Sequence, residues 1–372
     1  MRSRIGPAIA ASVLILATVG VGSVAAGEPP EEAGAVFTMS NGATRNRVLA
    51  WTRADDGSLA PAGRYDTGGR GSGTLLANQG GLFLTPNGKW LYVVNPGSDQ
   101  ISLFRARGTS LTLTDVVDSR GDRPFSVVAR GSLVYVLNNG GSGNIRGFRR
   151  TGGQLDFIRG SGRPLSGANT SPVQVGFSVD GSWLVVTELA TDRLTRYAVA
   201  LDGTPGDPKW QASAGAEPFG FDFAPDGTLV VSEAGDHVPG GSSASSYRFN
   251  TNGKLVAISA AEPTHETAAC WTAVTPDGRY AYVTNTPDGS ITGFAIDTDG
   301  SLGILDDDGV TAATGSGSLP LDLDTSRDGR FLYVLVGGTN ELQSFTIAAD
   351  GSLSPRMTLE GLPGAANGLV AR

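Results

Sequence analysis

The 372-residue sequence has very little of the chemistry from which many active sites are built. It contains one cysteine, Cys270, and two histidines, so no internal disulfide can form and a zinc site of Cys and His ligands is not expected. A Gly-x-Ser-x-Gly nucleophile motif and a phosphate-binding glycine loop are also absent. These absences argue against a disulfide-stabilised fold and against zinc, serine-hydrolase and nucleotide chemistry.

Positive charge is also scarce. The 28 Lys and Arg residues are outnumbered by 36 Asp and Glu residues, which gives a net charge of −8 spread along the chain. An acidic surface repels phosphate backbones and anionic lipid headgroups, so nucleic acid and membrane surfaces are not expected partners.

Only the amino terminus carries a sustained apolar run. Residues 1–26 combine two arginines, an apolar segment and small residues before Ala26, which is typical of a cleaved secretory signal. Residues 27–34 read as a polar linker, so a secreted, extracellular protein is predicted. The apolar segment is short for a membrane span, but an uncleaved anchor is the alternative.

What the chain has in abundance is glycine, with 54 residues, as many tight turns require. The stretch Trp271–Leu302 reads as three short strands separated by turns such as Pro276–Gly278 and Asp299–Gly300. Apolar runs elsewhere are equally short and lack a helical period, which predicts an all-β protein.

The same phrase recurs seven times, at intervals of roughly 43 to 54 residues, the period of a four-stranded propeller blade. The predicted central strands are Val36–Met39, Trp90–Val94, Leu133–Leu137, Trp183–Thr187, Thr228–Ser232, Tyr280–Thr284 and Phe331–Leu335. The first copy lacks its innermost strand, and residues 364–370 resemble that strand. We therefore predict one domain over residues 35–372, a monomeric seven-bladed β-propeller of four-stranded antiparallel blades, closed by the C-terminal strand joining the first blade.

This topology predicts which side chains share a face. The ends of the second strands and the starts of the innermost strands should meet at one mouth of the central channel, where propellers can hold a small-molecule ligand. The candidate substrate-binding residues at this mouth are Asn78, Gln79, Asn95, Arg123, Asn138, Gln174, Phe219, Trp271 and Asn285.

Two carboxylates stand out at that mouth. Glu188 and Glu233 occupy equivalent positions where other repeats have Asn. Close together they would raise each other's pKa and provide a general base, or they would hold Ca²⁺ or another divalent cation with neighbouring amide oxygens. Otherwise no metal or cofactor is expected. The alternative is that each caps a turn by accepting backbone N–H groups.

Three further candidates have simple structural alternatives. His265 could act as a general acid, or it is an exposed loop residue. Arg123 could bind an anionic ligand group, or it forms a salt bridge between blades. Trp271 could stack on a ligand, or it belongs to the core.

The repeat resembles the lactonase-type seven-bladed propellers, which include bacterial 6-phosphogluconolactonase and fungal carboxy-muconate lactonizing enzyme. The resemblance rests on Thr275–Asn285, Ile291–Phe294 and Asp299–Leu302. A secreted, mostly actinobacterial branch is similar in four further phrases, Asn78–Gly80, Pro218–Phe221, Val231–Ala234 and Thr267–Thr272.

The resemblance implies hydrolysis of a lactone, but the sequence departs from the family in two segments. Cytosolic relatives carry Pro-Arg-His at the start of an innermost strand, and the matching segment here has Val173 and Gln174 after Pro172. The same relatives end the second strand of that blade with an Asn-Glu pair. Glu188 aligns with the Asn of this pair, one residue before the family's Glu. Two functions are therefore predicted. One is a lactonase with Glu188, Glu233 and His265 as catalytic residues. The other is a non-catalytic propeller that binds a saccharide, a peptide or a cell-wall component.

Overall fold

The computed structural model describes Met1 and residues 34–372. Apart from Met1, the predicted signal lies outside the described residues. The predicted linker also lies outside them, except for its last residue, Gly34. Within residues 34–372 the chain forms seven separate antiparallel sheets, each with at least four strands.

Strands are numbered β1 to β31 along the chain. Blade 1 contains β1 Gly34–Met39, β2 Arg47–Arg53 and β3 Leu59–Asp66. Blade 2 contains β4 Leu82–Leu84, β5 Trp90–Asn95, β6 Gln100–Arg107 and β7 Ser110–Asp118. Blade 3 contains β8 Pro124–Arg130, β9 Leu133–Asn138, β10 Asn144–Thr151, β11 Gln154–Phe157 and β12 Arg163–Pro164. Blade 4 contains β13 Pro172–Phe177, β14 Trp183–Glu188, β15 Arg193–Ala198 and β16 Lys209–Ala212.

The remaining blades follow the same order. Blade 5 contains β17 Pro218–Phe223, β18 Leu229–Glu233, β19 Ser243–Phe249, β20 Leu255–Ala257 and β21 Glu262–Pro263. Blade 6 contains β22 Ala269–Val274, β23 Tyr280–Asn285, β24 Ser290–Ile296, β25 Leu302–Ile304 and β26 Ala312–Ala313. Blade 7 contains β27 Pro320–Thr325, β28 Phe331–Val336, β29 Glu341–Ile347 and β30 Leu353–Glu360. Two short 3₁₀ turns, Leu189–Thr191 and Gly235–His237, follow the second strands of blades 4 and 5.

The last strand, β31 Asn367–Ala371, closes the ring. It pairs antiparallel with β1, with Val36 opposite Ala371 and Thr38 opposite Leu369. The innermost strands contact one another in an unbroken cycle, from β4 through β8, β13, β17, β22 and β27 to β31 and back to β4. The predicted seven-bladed propeller and its closure are therefore confirmed.

The Asp-Gly turns between the first and second strands explain why the repeat folds as it does. In blade 6, Asp277 Oδ1 accepts hydrogen bonds from Thr275 Oγ1 at 2.6 Å and from Arg279 N at 3.1 Å. Gly278 follows with φ of +74°, which a residue with a Cβ adopts only at a cost. Blade 7 repeats these bonds with Asp328.

Tyrosines of the second strands fasten neighbouring blades. The hydroxyls of Tyr135, Tyr282 and Tyr333 donate to the carbonyls of Gly203, Gly351 and Gly57 at 2.6, 2.7 and 2.9 Å. Each acceptor lies in the next blade around the ring. These rings are buried, so the bonds satisfy hydroxyls inside the apolar layer between sheets.

Candidate active site

Glu188 and Glu233 are fully buried and bond within their own surroundings rather than with each other. Glu188 accepts from Ser166 N at 3.0 Å, from Ser166 Oγ and from Thr191 Oγ1 at 3.2 Å. Glu233 accepts from four groups at 2.6–3.0 Å, namely Ser213 Oγ, Gly215 N, Ser243 Oγ and Ser245 Oγ. Within residues 34–372 the two carboxylates share no partner, and each anchors the connector that enters its blade.

We expect the Glu233→Ala substitution to lower the free energy of unfolding by about 3 kcal/mol, because it leaves several buried donors without an acceptor. Urea denaturation measures the effect. Glu360→Ala, at an exposed position of an outer strand, is the control and should change stability by less than about 0.5 kcal/mol. Equal effects of the two substitutions would contradict an anchoring role.

The asparagines predicted at the same position behave alike. The Nδ2 groups of Asn95, Asn138 and Asn285 donate to Ser102 Oγ at 2.7 Å, Asn144 Oδ1 at 3.0 Å and Thr292 Oγ1 at 2.8 Å. All three asparagines are buried. Each donates to the third strand of its own blade, so none of these amides faces the channel cavity.

His265 and Arg123 lie at the surface. Both have backbone φ angles in the left-handed region, 62° and 55°, and both are exposed. The guanidinium of Arg123 lies 5.3 Å from the centroid of the Phe125 ring. The structure does not bring either residue to Glu188 or Glu233. The catalytic role of His265 and the ligand-binding role of Arg123 stay predictions.

Four of the predicted residues come together across the channel, and we call them the channel plug: Asn78, Gln79, Phe219 and Trp271. Gln79, just before β4, donates from Nε2 to the Thr272 carbonyl at 2.6 Å and accepts from Thr272 N at 3.0 Å. Trp271 Nε1 donates to the Asn78 carbonyl at 2.6 Å. These bonds join blades 2 and 6, which are as far apart as two blades of a seven-membered ring can be.

Phe219 completes the channel plug, with its ring centroid 4.8 Å from that of Trp271 in an edge-to-face contact. Gly220 lies directly beneath, and a Cβ on it would collide with Gln79 Oε1. Gln174 makes a similar pair of bonds to the backbone of Phe221, at 2.9 and 2.8 Å, between adjacent blades 4 and 5. The predicted mouth is therefore filled by protein atoms.

The central channel remains open beyond the plug, as a cavity of about 230 Å³. At the starts of the innermost strands, Phe125 and Val173 are buried. At their ends, Phe83, Phe177 and Phe223 are half-buried and line the cavity. The cavity therefore opens toward the face of the Asp-Gly turns, opposite to the predicted mouth.

Among the described residues, the charged side chains that line this cavity are three aspartates. Asp222 Oδ1 and Oδ2 accept from Phe223 N at 2.8 Å and Val274 N at 3.0 Å. Asp324 Oδ1 and Oδ2 accept from Thr325 N and Ala371 N, both at 2.8 Å.

Asp322 differs from the other two. Its Oδ2 accepts from Gly368 N at 2.9 Å, and no donor from the described part of the chain reaches its Oδ1. The side chain is 2% exposed and lines the cavity. It therefore presents to the cavity one carboxyl oxygen that these residues leave without a hydrogen bond.

Burial dominates the protonation of these carboxyls. It raises the pKa of Asp222 to about 6, that of Asp324 to about 7 and that of Asp322 to about 8. The charge of Asp222 further raises the pKa of Asp324, and Asp324 raises that of Asp322. No cationic side chain of residues 34–372 lines the cavity to offset these effects, so the three pKa values lie near neutral pH.

These aspartates are not among the site residues predicted from the sequence. A signal was present, because Phe221–Phe223 and Leu321–Thr325 place carboxyls inside innermost strands, where neighbouring residues are apolar. Asp and Glu are almost never fully buried unless paired. An aspartate inside a predicted channel-lining strand is therefore the pattern to look for.

The described residues contain no group of three or more His, Cys, Asp or Glu side chains arranged to hold a metal ion. None of their helices has the length and apolar character needed to cross a membrane.

Comparison with known proteins identifies the family. The family model described as "Lactonase, 7-bladed beta-propeller" matches residues 43–161 and 240–361. No curated protein sequence matches this chain significantly.

Similar solved structures agree on the fold. A putative 6-phosphogluconolactonase from Bacteroides fragilis is 19% identical, with a TM-score of 0.69 over 93% of this chain and 100% of the other. A second, from Bacteroides uniformis, is 18% identical, with a TM-score of 0.70 over 91% and 100%. The periplasmic gluconolactonase PpgL of Pseudomonas aeruginosa is 20% identical, with a TM-score of 0.64 over 90% and 99%. On the extent of the family match and the shared architecture, the chain belongs to the lactonase, seven-bladed β-propeller family.

Proposed function

We propose that this protein hydrolyses an uncharged lactone in the central channel, with the channel aspartates as general base and general acid. The observation that carries the proposal is the set of three carboxyls with raised pKa values on one small cavity. Perturbed carboxyls in a concave site are the groups that acid–base catalysis requires. Membership of the lactonase family supports the same reaction class.

The different pKa values suggest different roles. Asp222, with a pKa of about 6, is ionised at neutral pH and takes a proton from water as that water attacks the lactone carbonyl carbon. Asp322, with a pKa of about 8, is still protonated and donates its proton to the ring oxygen as the ring C–O bond breaks. The product is a hydroxy acid. The carboxyl of Asp324 titrates as part of a coupled group with those of Asp222 and Asp322.

The charge of the cavity favours a substrate without phosphate. The three aspartates are the charged groups on the cavity wall among the described residues, so no Arg or Lys of this part of the chain is in place to bind a phosphoryl group. The carboxylate of the product would also be repelled by an ionised aspartate, which assists its release.

A panel of neutral lactones tests the proposal. We expect Asp222→Asn and Asp322→Asn each to lower kcat/KM by at least about 100-fold. Asp207→Asn, whose side chain is 97% exposed, is the control and should retain wild-type rates. The wild-type kcat/KM should rise as pH passes about 6 and fall as it passes about 8, following Asp222 and Asp322.

Two results would overturn this assignment. Wild-type rates in both aspartate variants would remove the channel as the site. Loss of activity in Glu188→Gln or Glu233→Gln, without loss of folding, would instead place catalysis on the opposite face, with the residues predicted from the sequence.

A second candidate function is non-catalytic binding of a saccharide, peptide or cell-wall component. The observation in its favour is that both oxygens of Asp222 and of Asp324 accept backbone N–H groups, so these side chains also fasten neighbouring blades. Thermal stabilisation by cell-wall fragments, with no turnover of any lactone, would support this alternative.

We also propose that the protein is exported from the cell. The predicted signal over residues 1–26 and the predicted resemblance to a secreted actinobacterial branch support an extracellular location. We expect the enzyme to be a monomer. An unphosphorylated substrate agrees with that location, because phosphosugars are cytosolic metabolites. A divalent cation bound at the predicted channel mouth should raise the melting temperature in a way that chelator reverses.

A further inference from the structure

Positive charge is concentrated at one part of the propeller, the Asp-Gly face of blades 2 and 3. Residues 85–90, 105–112, 129–133 and 149–155 form this end of the two blades and contain no Asp or Glu. Their cationic side chains, which we call the blade 2–3 basic patch, are Lys89, Arg105, Arg107, Arg130, Arg149 and Arg150. In a chain with a net charge of −8, such a cluster is suited to an anionic partner.

The patch arises where the turn aspartate of the repeat is missing. In blade 2, Asn87 Oδ1 accepts from Thr85 Oγ1 at 2.8 Å and from Lys89 N at 3.1 Å, so it makes the bonds of a turn aspartate without its charge. In blade 3 the turn is only two residues, Gly131–Ser132. Both blades therefore form their turns without the carboxylate that would neutralise the patch.

Cations elsewhere on this face are neutralised by turn aspartates. The ion pairs in blades 5, 6 and 7 are Arg248–Asp226, Arg279–Asp277 and Arg330–Asp328. None of the six side chains of the blade 2–3 basic patch forms an ion pair with a carboxylate of residues 34–372. Their charge is therefore available to a partner.

The centre of the patch lies where blades 2 and 3 meet. Arg150 of blade 3 donates from Nε to the Tyr92 hydroxyl of blade 2 at 3.1 Å, and its guanidinium carbon lies 4.5 Å from the centroid of the Trp90 ring. The guanidinium carbon of Arg105 lies 5.9 Å from the same ring. Two like charges beside one ring repel each other, and an anion bound to both relieves this repulsion.

Arg130 and Arg149 are held at the edge of the patch that faces blade 4. Arg130 Nη1 donates to the Val179 carbonyl and Arg149 Nη2 to the Asp202 carbonyl, both at 2.6 Å. Carbonyl acceptors carry no net charge, so these bonds fix the two guanidinium groups without neutralising them. Side chains that are already fixed lose less conformational entropy when a ligand binds.

We propose that the blade 2–3 basic patch binds an acidic polysaccharide, a linear chain with carboxylate groups on its sugar rings. A guanidinium group pairs with a carboxylate through two parallel hydrogen bonds, and five of the six cations of the patch are arginines. This inference goes beyond lactone hydrolysis and does not depend on it, because the patch lies outside the residues assigned to catalysis.

The distribution of charge favours a narrow chain over broader polyanions. The patch is bounded by acidic turns, with Asp56 in blade 1 and Asp180 and Asp202 in blade 4. An anionic membrane surface or a DNA duplex that covered the patch would also approach these carboxylates and be repelled. Single-stranded nucleic acid gains affinity by stacking bases on aromatic rings, but the guanidinium of Arg150 already lies over the Trp90 ring.

Fluorescence anisotropy of labelled oligogalacturonate tests the proposal. We expect the wild type to bind it in about 50 mM NaCl and to lose at least about 10-fold in affinity in about 200 mM NaCl, because salt screens these charges. The combined substitutions Lys89→Gln, Arg105→Gln and Arg107→Gln should weaken binding by at least about 10-fold in the lower salt. A labelled maltooligosaccharide of equal length carries no charge and should not bind.

The matched control removes three positive charges from the same face. The combined substitutions Arg248→Gln, Arg279→Gln and Arg330→Gln should change the affinity by less than about 3-fold, because these arginines are already paired and lie outside the patch. Arg105→Lys with Arg107→Lys keeps the charge and should retain binding to within about 3-fold, which separates loss of charge from loss of folding.

Several results would overturn the inference. They are failure of the wild type to bind oligogalacturonate in low salt, equal weakening by the two triple variants, and equal binding of the charged and neutral oligosaccharides. Tighter binding of a single-stranded DNA oligonucleotide or of phosphatidylserine vesicles at the same salt concentration would assign the patch to another class of partner and also overturn it. Because no turnover is measured, failure of the lactonase proposal leaves this test unaffected.

Discussion

Replacing Gln79 with alanine should lower the free energy of unfolding by about 2–4 kcal/mol. The side chain bonds both the N–H and the carbonyl of Thr272, at 3.0 and 2.6 Å, and Thr272 is fully buried. The alanine variant leaves this buried donor and acceptor without partners, and each unsatisfied group carries its own desolvation penalty. Urea denaturation, with the m-value as a check on two-state behaviour, measures the loss.

Gln174→Ala is the matched comparison. Gln174 makes the same pair of bonds to the backbone of Phe221, but between adjacent blades that already pack along their length. We expect a smaller loss of stability there, because neighbouring contacts hold blades 4 and 5 together without it. A loss in Gln79→Ala below about 0.5 kcal/mol would show that the cross-channel bonds contribute little.

The second large effect is a pH dependence of stability that comes from Asp322. Burial raises the pKa of its carboxyl from an ordinary value of 3.8 to about 8 in the folded protein, so the native state binds the proton more tightly than the unfolded chain. Linkage then makes the folded protein lose stability as pH rises from about 4 toward 8. Asp322→Asn removes this ionisation and should be more stable than the wild type at pH 9, by about 2 kcal/mol or more.

Thermal melts between pH 5 and pH 9 measure this difference. Asp299→Asn is the control. A hydrogen bond from Ser301 lowers the pKa of this exposed carboxyl, so the contribution of Asp299 to stability rises with pH instead of falling. The gap between Asp322→Asn and wild type should widen as pH rises. Parallel melting curves across the pH range would contradict a raised pKa.

The repeat in the sequence is sufficient to predict the fold. Every predicted central strand matches an observed strand next to the innermost one to within one or two residues, because the turns that bound these strands are encoded locally by Asp and Gly. Closure of the ring by residues 364–370 is predictable because the first repeat lacks an innermost strand and the C-terminal residues resemble one. Local turn chemistry and a fixed period were sufficient for this.

The candidate site could not be derived in the same way. Gln79 and Thr272 are 193 positions apart in the sequence, and no local pattern indicates that their blades meet across the channel. Glu188 and Glu233 stand out in the sequence because they interrupt a repeat, but the direction of a strand side chain changes with every residue. Both point toward the connector of their own blade, where serine donors surround them.

Pairing of β31 with β1 also has a consequence for synthesis of the chain. Thr38 bonds the backbone at Gly368, so the contacting residues are separated by 330 positions. Contacts of such range form slowly, and here they cannot form until nearly all of the chain has left the ribosome. Until then β1 is an open sheet edge of the kind that recruits other strands. The nascent chain must therefore keep this edge from intermolecular pairing throughout translation.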